Sequence, residues 1–180
     1  PADARDHDDA VYAEPDVDPG NQGGYVVWVA IADVAAYVTP NSAMDKEARR
    51  RGNSVYMPDR VVPMLPERLS NDLCSLRERE DRPCMAVRMQ IDAKGKKRGH
   101  KFVRGMMRSA AKLSYQQAQG IFDAQAVAGS DNSSKGTSER AGLEDILGAL
   151  WQAYQLMAQA RDARAPLIID KPERRIDMNE

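Results

Sequence analysis

Residues 25–33, Tyr-Val-Val-Trp-Val-Ala-Ile-Ala-Asp, decide the fold. The run is apolar throughout, rich in β-branched and aromatic residues, and bounded by turn-forming residues. That pattern predicts a buried strand at the centre of a sheet. Upstream, residues 9–14 read as a short strand and residues 15–24 as a Gly/Pro/Asp loop. Downstream, Pro40 and Asn41 break the chain, Ser42 caps a helix through Arg51, and Gly52 ends it. Residues 84–92 set Met85, Val87, Met89 and Ile91 against Arg88 and Gln90, the alternation of a half-exposed strand. Residues 93–96 form a turn and residues 98–108 return, which makes an antiparallel hairpin. The expected class is mixed α/β (α+β), with a mainly antiparallel sheet and packed helices.

Between these elements, residues 56–70 carry Pro58, Pro63 and Pro66. Proline suits neither a helix interior nor a central strand, so this is an ordered loop with a fixed path. Residues 71–76 read as a helical turn. Ser114 and Gln117 have the spacing of a capping box and start a helix to about Phe122. Residues 125–138 are small and polar and read as a surface loop. Leu143, Ile146, Leu147, Leu150, Tyr154 and Met157 repeat at helical spacing, as a core-packing stripe does. Residues 166–179 mix a short apolar strand with charge.

Composition narrows the function. Hydrophobic residues are 42% of the 180 residues, enough to build a core, so wholesale disorder is excluded. No apolar run approaches membrane-spanning length and no secretory signal is visible. Two cysteines, Cys74 and Cys84, cannot build a disulfide scaffold and fit reduced thiols, so a cytoplasmic location is expected. The chain opens on Pro1, with chemistry-bearing residues from Asp3 onward, and is therefore expected to be a piece of a longer polypeptide.

Charge is segregated. Residues 1–18 hold seven acids and one base, whereas residues 46–112 hold eighteen Lys/Arg and eight Asp/Glu, a net of +10. The net charge of −1 excludes a globally basic nucleic-acid binder but not a locally basic one. The basic stretch can draw phosphates by counterion release, and the acidic stretch repels them unless divalent cations intervene. In solvent, the same charges simply solvate a surface. Asp6, Asp8 and Asp9 crowd three carboxylates into four residues, which raises their pKa values or recruits a cation. Oxygen-only ligands suit Mg²⁺ or Mn²⁺. An extended backbone puts Asp6 and Asp8 on one side and Asp9 on the other, so a turn or bulge is needed to converge them. His7 and His100 lack paired spacing and the cysteines are ten apart, which disfavours zinc. No phosphate-binding glycine loop or nucleophile-elbow motif is present.

The segments DARDHDDAVYAE (residues 3–14), WVAIADVAAYV (28–38), EARRRGNSVYMPDRVVPMLPERLSNDLCSL (47–76) and RSAAKLSYQQ (108–117) resemble the opening half of the RNB catalytic domain of the ribonuclease II/ribonuclease R family. The ribonuclease R branch is the better match. The similarity is strong from Asp3 to about Tyr115 and looser to Glu180.

The resemblance implies an RNB-type domain, here incomplete. The second half of the domain and the flanking cold-shock and S1 domains would lie outside residues 1–180. It implies a processive, Mg²⁺-dependent 3′-to-5′ exoribonuclease that acts on the single-stranded 3′ end of RNA, releases nucleoside 5′-monophosphates and is monomeric at full length. Asp6, Asp8 and Asp9 match the last three of the family's four active-site aspartates, and the first falls before Pro1. Tyr56 matches a tyrosine that stacks on a base near the RNA 3′ end, and Tyr115 one that touches the terminal ribose. The bland readings are a half-buried core tyrosine and packing at a helix start. His7 departs from a frequent apolar residue and Ala110 from a frequent histidine. The family's arginine-rich phosphate clamp would lie beyond Glu180. Two rival readings follow: an RNA-binding but catalytically incomplete fragment, and an interaction module whose acidic loop takes Ca²⁺ or a basic partner.

Overall fold

The computed structural model describes residues 7–128 and 138–167, so Asp3 and Asp6 lie outside the described residues. Four strands form one antiparallel sheet: β1 (Asp9–Pro15), β2 (Tyr25–Ala32), β5 (Asp81–Ile91) and β6 (Lys97–Arg108), in the order β1-β2-β5-β6. Two further strands, β3 (Val55–Tyr56) and β4 (Val61–Val62), pair only with each other. The helices are α1 (Ala43–Arg51), α2 (Tyr115–Ala128) and α3 (Ser138–Asp162).

The apolar run is β2, held between β1 and β5. Val26 and Val27 are each 3% exposed. Neighbours on a strand point to opposite faces, so both faces are covered here. On one face Ala13, Val27 and Ile91 pack against Ala153 of α3, joined by Leu150 and Met157. On the other, Ala32 packs against Leu69, Cys74 and Leu76. Full burial of a valine or leucine contributes about 1.5–3 kcal/mol, so these two small clusters hold the sheet to its surroundings. The helix-covered face is only partly closed. Beyond the end that α3 covers, Ile31 and its cross-strand partner Met85 remain exposed.

Ser42 Oγ accepts from the Asp45 amide at 3.1 Å, and Gly52 closes α1 at φ +79°, as the capping residues predict. Ser114 and Gln117 form a reciprocal box, with distances of 3.2 and 2.8 Å. Three expectations are revised. Residues 56–70 are not all loop, because β3 ends at Tyr56 before the first proline and β4 fits between Pro58 and Pro63. A π-helical turn, Leu69–Leu73, replaces the turn expected at 71–76. And α2 runs to Ala128 rather than Phe122, because alanine and glutamine, read as small and polar, are good helix formers. The rest of that loop and most of the segment at 166–179 lie outside the described residues. In α3, Tyr154 is half exposed and Ala153 takes its place inside, since a small side chain allows a close approach to the sheet.

The β5–β6 turn is tied by the Asp92 carboxylate, which accepts from the amides of Lys94 and Lys96 at 2.9 Å each. Those bonds hold Asp92 below the ordinary carboxylate range. Gly95 in this turn has φ +72°, and a Cβ there would collide with the Leu156 carbonyl of α3. Gly95→Ala combines a left-handed backbone with overpacking against a helix. It should lower stability by roughly 2–4 kcal/mol in urea unfolding. A loss below about 0.5 kcal/mol would show that α3 does not rest on this turn.

Candidate functional site

The acidic segment is held by its backbone. The Ala32 amide, at the end of β2, donates to the Asp8 carbonyl at 2.8 Å. The His7 amide donates to Ser75 Oγ at 3.1 Å, and the Leu76 amide donates to the His7 carbonyl at 2.8 Å. Cys74, Ser75 and Leu76 are all buried. His7 and Asp8 are therefore stitched between the sheet and a buried segment distant in sequence. Their side chains differ. His7 Nε2 is buried with no hydrogen-bond partner among the described residues, at the position where the resemblance expects an apolar residue. The side chains of Asp8 and Asp9 stay exposed.

Asp9 opens β1 opposite Ile31 and lines a cleft of about 760 Å³. Trp28, Met107, Tyr115 and Leu147 also line it, so Asp9 and Tyr115 both face this cleft. Asp8 acts instead on Cys74: burial first, then the charges of Asp8 and Asp33, push that thiol above its ordinary range. Burial and Asp33 do the same to Cys84.

Carboxylate oxygens suit a hard divalent cation, and Mg²⁺ commonly takes only one or two protein carboxylates beside water and phosphate. Asp8 and Asp9 fit that requirement in donor chemistry and exposure. No group of three or more His, Cys, Asp or Glu side chains assembles among the described residues, and Asp6 lies outside them.

Tyr56 lies on β3, 70% exposed, and is not part of the cleft. Tyr115 is the first residue of α2 and is 85% exposed. Neither ring is packed in a core, so both are available as stacking surfaces. Two features escaped the sequence reading. Ser75 was one letter in a long block, and only its partner, the His7 amide, gives it a role. Asp33 read as a turn signal after the apolar run. It is 6% exposed and accepts from Nε of Arg104, reaching across the sheet to β6.

The RNB domain family model matches residues 1–180. The chain belongs to the RNB domain family. It is 44% identical over 166 residues to ribonuclease R of Acidithiobacillus ferrooxidans, covering 92% of this chain and 35% of that protein. It is 41% identical over 177 residues to ribonuclease R of Escherichia coli, covering 98% of this chain and 20% of that protein. The fold is similar to Mycoplasma genitalium RNase R in complex with ribose methylated single-stranded RNA. There the TM-score is 0.76 and the identity 32%, with 91% of this chain and 23% of that one covered. The chain thus spans a fifth to a third of the length of these curated relatives. No helix among the described residues is long and apolar enough to cross a membrane.

The two thiols give a direct check on the packing around the acidic segment. A thiol reacts as its thiolate, and both cysteines are buried with raised pKa values. In the native protein near pH 8 they should label with iodoacetamide at least about tenfold more slowly than in urea, where both are free. Fast native labelling of Cys74 would mean that the stitch at residues 74–76 is open.

Proposed function

We propose that this chain is the N-terminal part of the RNB catalytic domain of a ribonuclease R-like protein. That protein hydrolyses RNA from the 3′ end, processively, to nucleoside 5′-monophosphates. One observation carries the reading: in a chain of the RNB family, the carboxylates of Asp8 and Asp9 are exposed on a backbone pinned at three points. Pinning removes conformational freedom before substrate arrives, which is what a positioned catalytic group requires.

Asp8 and Asp9, with Asp6, would hold Mg²⁺, with Mn²⁺ as a substitute. Bound there, the cation supplies activation of the attacking water and charge stabilisation at the leaving 3′-oxygen. The protein's own residues orient the chain of RNA. Tyr56 offers a face on which any base stacks, a contact worth about 1–3 kcal/mol and indifferent to sequence. Tyr115 lines the same cleft as Asp9, which supports a role in meeting the terminal ribose, whose 2′-hydroxyl marks RNA. The positive excess of residues 46–112 draws phosphates toward the site. The activity belongs to the cytoplasm, and the full-length protein works as a monomer. A second reading is RNA binding without cleavage by this chain alone.

The full-length protein should release 5′-mononucleotides from the 3′ end of a labelled RNA and stop in EDTA. Asp8→Asn keeps the shape but loses the charge that holds metal, so hydrolysis should collapse while RNA binding survives. Internal cuts, or full activity without divalent metal, would overturn the exonuclease reading, and an Asp8→Asn rate within tenfold of wild type (less than about 1.4 kcal/mol) would remove Asp8 from the metal site.

Tyr56→Ala should weaken binding of a five-nucleotide RNA and lengthen the final undegraded product, while long RNA is cut at nearly the normal rate. Tyr56→Phe should match wild type, because stacking uses the ring and not the hydroxyl. A lower melting temperature with an unchanged end product would instead make Tyr56 structural. A product ladder on a sequencing gel beside a thermal melt decides between them.

A further inference from the structure

The hairpin that carries Tyr56 has little of its own to hold it. β3 and β4 are two residues each, all four exposed, and they pair only with each other. An isolated two-stranded hairpin is marginal in water. Its position must come from ties to something firmer.

The firmer element is α1, whose last residue, Arg51, stands three residues before Ser54. Arg51 Nη1 donates to the Pro63 carbonyl, just past β4, at 2.9 Å. Its Nε donates to Glu47 Oε1 at 2.9 Å, one helical turn back. Ser54 Oγ accepts from the Met64 amide at 2.9 Å, and the Met57 amide donates to the Arg60 carbonyl at 2.8 Å. The other arginines of that helical turn bond within α1: Arg49 to Asp45 and Arg50 to Glu47. Of the three, only Arg51 is seen to cross to the hairpin. Glu47, held down to about 2 by Arg50 and then Arg51, stays ionised near neutral pH and fixes the root of the tie.

We propose that Arg51 is a positioning residue. It locks the β3–β4 hairpin onto the C-terminal end of α1, and so sets where the Tyr56 ring meets an RNA base. The planar guanidinium holds Glu47 and the Pro63 carbonyl at once, in fixed directions. A lysine is a point charge on a flexible stem and cannot reproduce that fork. The inference goes beyond the proposed function but rests on its assignment of Tyr56 to stacking.

The test pairs two measurements on the full-length protein in EDTA, so that nothing is cleaved. Hydrogen exchange followed by mass spectrometry reads the peptide covering residues 55–65, and fluorescence anisotropy reads binding of a labelled five-nucleotide RNA. Arg51→Met should speed exchange in that peptide roughly fivefold or more, leave peptides from α1 and β2 unchanged, and weaken RNA binding roughly five- to tenfold. Added to Tyr56→Ala it should weaken binding no further, and Arg51→Lys should fall between wild type and Arg51→Met. Unchanged exchange in the hairpin overturns the lock. Faster exchange with unchanged affinity, where Tyr56→Ala does weaken binding, overturns the positioning role. Tyr56→Ala binding like wild type overturns the stacking assignment and the positioning role with it, and faster exchange alone then reports a purely structural tie.

Discussion

The hydrogen bond from the Ala32 amide to the Asp8 carbonyl joins the strand buried at the heart of the sheet to the most acidic segment of the chain. The acidic part of the candidate site depends on that joint. Three carboxylates in four residues repel one another, and a free segment would relieve the strain by spreading out. Here the backbone is fixed instead, by Ala32 on one side and by Ser75 and Leu76 on the other. Repulsion then cannot relax through the main chain at His7 and Asp8, and the exposed side chains of Asp8 and Asp9 meet it in solvent. The neighbouring bond accounts for the burial of Ser75 at 1% exposure: its hydroxyl accepts from the His7 amide, so it can sit in an apolar layer.

The basic excess of residues 46–112 works differently from its face value. Arg49, Arg50, Arg51, Arg104 and Arg108 each bond a carboxylate, in contacts that are mostly exposed. Exposed pairs contribute little to stability. Their effect is geometric: they hold long side chains in fixed places and leave a surplus of positive charge around them. Arg104 shows the principle most clearly. Its guanidinium is more than half exposed, yet Asp33 beneath it is buried. A buried carboxylate without a cation would be costly, so the pair ties β6 to the end of β2 by a mutual need. Arg104 in turn is held more firmly in its charged form by that bond.

Much of this was legible in the residues. The apolar run of β2, the capping serines at 42 and 114, and the terminal Gly52 speak through local rules, and they correctly mark the centre of the sheet and the helix starts. The acidic cluster was equally visible as a composition. What local rules could not show is the partner of each group across the fold. Nothing near Asp8 in sequence names Ala32, and nothing near His7 names Ser75, because such bonds are set by the register of the sheet and the path of residues 65–76. The Tyr56 hairpin was missed for a related reason. Three prolines within nine residues read as irregular loop, and a strand of two residues is shorter than any periodic signal.

The two tyrosines illustrate how the manner of support bears on precision. Tyr115 sits at the first turn of α2, where the Gln117 amide donates to Ser114 Oγ and the Ser114 amide donates to Gln117 Oε1. Its backbone is set by neighbours within three residues, so its place on the cleft wall depends only on where α2 lies. Tyr56 has no such local frame. Its strand is two residues long, and the ties that locate it run through Arg51, Ser54 and the carbonyl of Pro63. A ring held through side chains can shift by small amounts when a substrate presses on it, whereas a ring at a capped helix start moves only with the helix. A sequence-tolerant stacking contact must accept purines and pyrimidines of different size at the same station. The softer support is therefore found under the residue whose proposed task needs the tolerance, and the stiffer one under the residue proposed to recognise a fixed hydroxyl.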